Sequence, residues 1–226
     1  MERAGPPRSA RRWRRTPPKD RPIFDAKITP YRLLRRSELP SDTMAMAEFL
    51  IGKILVRDAP EGRTSGRIVE TEAYPLGDSS SHAYNGETTR VRSMFLEEGR
   101  GYVYFTYGAH FCFNVSSEPK GIGAGVLIRA LEPLEGIELM QRRRGTAKLL
   151  DLTRGPGRVA SAMAIDRAVD GIDLCVEGPL WLASGDLAVG RIRKSRRIGI
   201  SREAHRLRRF YERGNPHVSG PKHLSP

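Results

Sequence analysis

A chain of 226 residues with 38% hydrophobic content has enough apolar material for one core of ordinary size, which excludes a wholly disordered protein. Its 39 Lys and Arg against 26 Asp and Glu leave a formal charge of +13. That balance favours a polyanionic partner such as nucleic acid or an anionic membrane face, unless arginine has merely replaced lysine under a GC-rich genome. Two cysteines and five scattered histidines match neither a disulfide framework nor a metal-ligand spacing, so neither a metal nor a cofactor is expected.

In chain order, residues 1–22 come first. They hold eight Arg or Lys, two acids and five prolines, with almost nothing apolar to offset the entropy of ordering. The segment reads as a disordered basic tail, followed by one domain over 23–226. A loose arm for non-specific nucleic-acid binding, an inert extension and a transit peptide all fit that composition. The basic start has no apolar stretch behind it, and no apolar run approaches the roughly 20 residues that span a bilayer. A soluble cytoplasmic protein, with no membrane partner, is the expectation.

Ser41 and Asp42 mark the start of a short helix through Phe49 and Leu50, ahead of a strand around Ile54–Val56. GRIVETEAY (66–74) is rich in strand formers, and 102–107 with 110–115 make a hairpin across Gly108. GVLIRAL (125–131) predicts another strand. Pro133 opens a helix on the spacing of Leu134, Ile137 and Met140, and GPGRVASAMAI (155–165) opens a second with Pro156 in its first turn. Strand-like pieces at 179–183 and 191–200 complete the sheet. Strands come in neighbouring pairs, without strict alternation with helices, so the expected fold is α+β. It is a single domain with a curved, mainly antiparallel sheet, a protruding β-hairpin and flanking helices.

Strict alternation along 67–74 places Ile68, Glu70, Glu72 and Tyr74 on one face, and Val69, Thr71 and Ala73 on the other. A carboxylate beside an aromatic ring suits the hydrolysis of a glycosidic bond, where the acid activates water and the ring holds the leaving group. A solvated sheet face fits the same residues. The segment YVYFTYGAHFCFN (102–114) gathers three tyrosines and three phenylalanines around a glycine turn, in a chain only 7% aromatic. Tyr102 and Tyr104 alternate with Val103 and Phe105, and Tyr107 precedes the turn. Phe105, Phe111 and Phe113 are expected in the core. A ring at the tip of such a ribbon is a device for wedging into a minor groove.

The succession GRIVETEAY, SHAYNGET, YVYFTYGAHFCFNVSS, GVLIRALEPLEG, GPGRVASAMAID, RIGIS and RFYERGNPHVS strongly resembles the alkyladenine (3-methyladenine) DNA glycosylases, co-linearly from about Leu34 to Val218. The resemblance implies that Glu72 is the general base and that Arg129 lies near the catalytic water and a backbone phosphate. It makes Tyr74 and Tyr104 the walls of a base pocket, His82 the reader of the flipped base, and Asn114 the group that excludes the amino group of guanine. Tyr107 becomes the intercalating residue. The partner implied is double-stranded DNA with alkylated or deaminated purines (3-methyladenine, 7-methylguanine, hypoxanthine), on which a monomer acts by base-excision repair. In a bacterium this would place the protein at the nucleoid. No lysine stands at a nucleophile position, which implies a monofunctional enzyme that leaves an abasic site.

Arg158, at the start of the GPGR helix, and the pair Arg196 and Arg197 are candidate contacts to the DNA backbone. Two departures from the family pattern stand out: Ala109 replaces a bulkier methionine after the turn, and His217 stands at a position often aromatic. Two other readings compete. One is a non-catalytic nucleic-acid-binding module; the other is a hydrolase of free nucleosides built on Glu70 and Glu72.

Overall fold

The computed structural model describes residues 31–106, 108–221 and 223. The basic tail at 1–22 and the expected wedge, Tyr107, lie outside the described residues. A two-residue strand, β1 (Arg32–Leu33), precedes α1 (Thr43–Phe49). The Asp42 carboxylate caps α1 by accepting from the Ala45 N–H at 2.8 Å. Next come β2 (Ile54–Ala59) and the long β3 (Gly62–Tyr74). The aromatic hairpin is β4 (Gly101–Thr106) and β5 (His110–Ser116), with Gly108 at φ 65° in its turn. Then follow β6 (Gly125–Glu135), α2 (Ile137–Arg144), α3 (Pro156–Ala162), β7 (Leu180–Ser184), β8 (Ile192–Ser195) and β9 (Arg209–Glu212).

The nine strands form one sheet in the order β1-β7-β2-β3-β6-β5-β4, with β9 pairing β3 and β8. Every recorded pairing is antiparallel, which makes the fold α+β. Among the described residues, no helix is long and apolar enough to cross a membrane.

β3 is the strand that matters most for the site. One edge pairs with β6 along most of its length, while the other pairs first with β2 and then, at Glu70–Glu72, with β9. The register against β6 slips on both sides of Glu70. This irregularity breaks the two-residue alternation. Ile68 therefore joins Ala73 in the main core, while Val69 packs with Ala130, Tyr211 and Val218 on the other side. The expectation that Ile68 shares a face with Glu70 and Glu72 is corrected accordingly. Thr71 remains on the α1 side, where its hydroxyl donates to the Ala47 carbonyl at 2.7 Å.

Three other expectations change. Pro133 lies within β6 opposite Gly66, at a register shift where a strand tolerates a residue without an N–H, and α2 starts only after Gly136 at φ 68°. The strand expected at 191–200 ends at Ser195. Phe113 is fully buried and Phe111 packs on the core, but Phe105 is 44% exposed. Among the described residues β4 is the last strand of the sheet order, and Phe105 lies near the hairpin turn at its end. Phe105 instead leans on Phe111, with ring centroids 5.0 Å apart.

Candidate active site

Two carboxylates and two guanidiniums are packed where β3, β6 and β9 run side by side. Glu70 and Glu72 are both fully buried, and neither lines a solvated face. Buried ions need partners, and each carboxylate has several. Glu70 accepts from Arg129 Nε at 3.0 Å, from Arg209 Nε at 2.6 Å and from the Ser219 N–H at 2.6 Å. Glu72 accepts from the Ile198 N–H at 2.8 Å and from the Tyr74 hydroxyl at 2.9 Å, and it pairs with Arg129 Nη1 at 3.2 Å. Arg129 thus spans both acids from the neighbouring strand. Two carboxylates against two guanidiniums balance formally.

Beside this cluster opens a cavity of about 320 Å³. Its walls include Tyr74, His82, Tyr104, Asn114 and Arg129, five of the residues that the sequence singled out. Glu72 is not itself a wall: Tyr74, Arg129 and Ile198, which hold its carboxylate, are. Tyr102 stacks on Tyr104 with centroids 5.6 Å apart, and His82 meets Tyr104 edge-on at 4.4 Å. The Tyr102 hydroxyl and His82 Nδ1 are 3.1 Å apart, which fixes the imidazole plane. Asn114 is buried opposite Tyr102 and donates to its carbonyl at 3.3 Å, so its amide is held against the hairpin backbone.

Burial sets the protonation states. It pushes the Glu72 carboxyl above its ordinary pKa, against the opposing pull of the Arg129 charge and the Ile198 N–H. A carboxylate moved toward neutral pH is better matched to general-base work than an ordinary one. The Tyr74 and Tyr104 hydroxyls are pushed far upward by burial, and Tyr102 to about 12, so all three remain protonated. Burial, with the charge of Arg90, lowers the pKa of His82 and leaves it neutral at physiological pH.

The candidate backbone contacts separate. Arg196 is exposed, and Arg158 is partly exposed and pairs with Asp151 at 2.9 Å. Arg197 does not fit the expectation of a phosphate contact: its side chain is fully buried against Asp78 and over the Tyr74 ring. An extended strand would have put alternate residues of 196–200 outward. The chain leaves the sheet at Ser195 and turns Arg197 inward, so that its next N–H reaches Glu72. Arg129 likewise directs Nε and Nη1 to Glu70 and Glu72, and Nη2 to the Ser219 hydroxyl.

The sequence reading missed several walls of the cavity. Cys112, Leu127 and Ile198 fall within the matched motifs without being singled out there, Met94 lies outside them, and Ile198 acts through its backbone. Ser80 carries a local signal, since its N–H and hydroxyl both bond Asp78, a short-range turn pattern that the run DSSS (78–81) signals. Arg209 and Ser219, which complete the shell of Glu70, lie far along the chain and gave no signal beyond the RFYERGNPHVS match.

The profile of one protein family, methylpurine-DNA glycosylase (MPG), matches residues 37–216. A protein of Mesorhizobium japonicum is 60% identical over 191 residues, covering 84% of this chain and 92% of its own length. One of Paraburkholderia phytofirmans is 51% identical over 194 residues, 84% of this chain and 90% of that protein. A third, from Rubrobacter xylanophilus, is 44% identical over 176 residues, 78% of this chain and 92% of its own. Each carries the name "Putative 3-methyladenine DNA glycosylase".

Proposed function

The chain belongs to the methylpurine-DNA glycosylase family and is a DNA glycosylase, and from that premise we propose that it removes 3-methyladenine, 7-methylguanine and hypoxanthine from duplex DNA by flipping the base into the Tyr74–Tyr104 cavity. The observation that carries this reading is Glu72: a buried carboxylate, raised in pKa, held by three groups that line an aromatic cavity.

A base inside a duplex is out of reach, so extrusion comes first, at a cost of a few kcal/mol. Tyr107 takes the vacated space in the stack. Within the cavity, Tyr74 and Tyr104 hold the purine by its faces, an arrangement favourable to a cationic alkylpurine. Neutral His82, its ring fixed by Tyr102, offers its other nitrogen to the purine edge. Asn114 presents its amide where an exocyclic amino group would collide.

In the chemical step, water attacks the anomeric carbon while the bond to the purine nitrogen breaks. The bonding electrons leave with the base: a cationic alkylpurine departs neutral, and hypoxanthine departs as an anion that takes a proton from solvent water. Glu72 takes the proton of the water, and Arg129 keeps the carboxylate oriented. One oxygen of Glu72 is capped by the Tyr74 hydroxyl at 2.9 Å. No amine serves as nucleophile in this reading, so the product is an abasic site in an intact strand and the enzyme is a monofunctional hydrolase; one pocket serves one lesion, so the protein acts as a monomer.

The test is single-turnover base release from a duplex with one 7-methylguanine or one hypoxanthine, with and without alkali. Strand breaks only after alkali, lost in Glu72→Gln, are the expected result. Tight duplex binding with no release from either lesion would instead identify a non-catalytic binding module.

A further inference from the structure

A buried cation lies directly behind one wall of the cavity. The Arg197 side chain is 0% exposed, and its guanidinium carbon is 4.5 Å from the centroid of the Tyr74 ring. Tyr74 is a wall of the cavity and Arg197 is not, so we infer that the guanidinium covers the ring face turned away from the cavity. Nη1 is engaged by the Ala73 carbonyl and the Asp78 carboxylate. Nε and Nη2 have no hydrogen-bond partner among the described residues, and the guanidinium carbon stands over the ring. Asp78 is shared with Arg208 at 2.7 Å, so the one anion that pairs with Arg197 is divided between two cations.

A buried guanidinium with unmet donors is costly, and a packed apolar side chain would hold the ring more cheaply. Its charge is the property that an apolar residue could not supply. The face of an aromatic ring attracts cations through its quadrupole, and a cation already on one face opposes a second on the other. We propose that Arg197 is a specificity-determining residue, whose charge behind Tyr74 weakens the preference of the cavity for cationic purines and widens its use to neutral ones. The inference rests on the glycosylase reading above.

Arg197 also positions the site. Through Asp78 it ties the end of β3 to the turn carrying Ser80 and His82, and its neighbour Ile198 donates to Glu72. Loss of positioning alone slows every substrate alike, whereas loss of the charge changes their ratio. The experiment therefore measures single-turnover release of 7-methylguanine, a cation, against hypoxanthine, which is neutral, in Arg197→Met, Arg197→Lys and Asp78→Asn. Arg197→Met is expected to raise the ratio of 7-methylguanine to hypoxanthine rates roughly 3- to 10-fold, the range of a cation–π interaction. Arg197→Lys should stay within about twofold of the unmutated ratio. Asp78→Asn removes the counter-charge, so its ratio should move the opposite way. If Arg197→Met fails to fold in a thermal melt, the direction of the Asp78→Asn change decides. Lower rates with an unmoved ratio would overturn the inference and leave the glycosylase reading intact; release of neither base by the unmutated protein would overturn both.

Discussion

Replacing Glu70 by glutamine should weaken the fold and, at the same time, move the pH dependence of catalysis in a defined direction. The side chain is fully buried and accepts three hydrogen bonds, two of them from guanidiniums. Breaking a buried pair by removing one charge costs about 3–5 kcal/mol, a large share of a typical 5–15 kcal/mol of stability. Glu70 and Glu72 lie two residues apart on β3 and both pair with Arg129. At about 3.3 Å per residue and an effective dielectric of about 20, two charges so placed repel by about 2.5 kcal/mol. That repulsion is one of the influences that raise the Glu72 pKa. In Glu70→Gln it disappears, and Arg129 is left to Glu72 alone. The Glu72 pKa therefore falls, and the acid limb of the base-release profile moves to lower pH. At neutral pH the rate drops roughly 10- to 100-fold, because Arg129 loses the partner that orients it. The assays are single-turnover release of hypoxanthine across acidic to neutral pH, and urea unfolding of the same protein. A lower rate with the acid limb unmoved would refute the coupling between the two carboxylates and leave Glu70 a structural residue only.

Glu72→Gln should reduce base release by a factor on the order of 10²–10⁴ while binding of a lesion-bearing duplex, read by fluorescence anisotropy, persists. In the unmutated protein the working form of Glu72 is ionised, so the rate is lost as pH falls through its pKa. Burial raises that pKa, and the limb should lie above the ordinary carboxylate value of about 4.3 in a pH–rate profile. Tyr74→Phe removes a hydrogen bond that favours the ionised acid, so its acid limb should move to higher pH, opposite to Glu70→Gln. Phe113→Ala, at a fully buried core position, should cost about 3–5 kcal/mol in urea unfolding and leave the pH profile unchanged.

Much of the site was legible because its residues cluster in short, ordered motifs. Tyr74 and Glu72 come from one strand, Tyr104 and Asn114 from one hairpin, and local rules place each correctly: a glycine at φ 65° in the hairpin turn, Asp42 capping α1, Pro156 opening α3. Periodicity failed where pairing overrode it. Ile68 parts company with Glu70 because β3 changes partners from β2 to β9 and slips its register against β6 at that point. Pro133 signalled a helix start, yet it sits in β6, where a register shift at Gly66 relieves the need for its missing N–H.

The sequence by itself determined the family and the fold class, and it named the candidate residues: an acid, an arginine and paired rings, on an α+β frame with excess positive charge. Only the tertiary structure decided which charges meet. Arg209 and Ser219 stand 139 and 149 residues from Glu70 and still complete its shell. Arg197 and its neighbour Arg196 were read alike as backbone contacts, yet Arg197 turns inward onto Asp78 while Arg196 remains exposed. The physical reason is that charge burial depends on partners brought together by the fold. A dipeptide of two arginines carries no record of which one will find a carboxylate waiting.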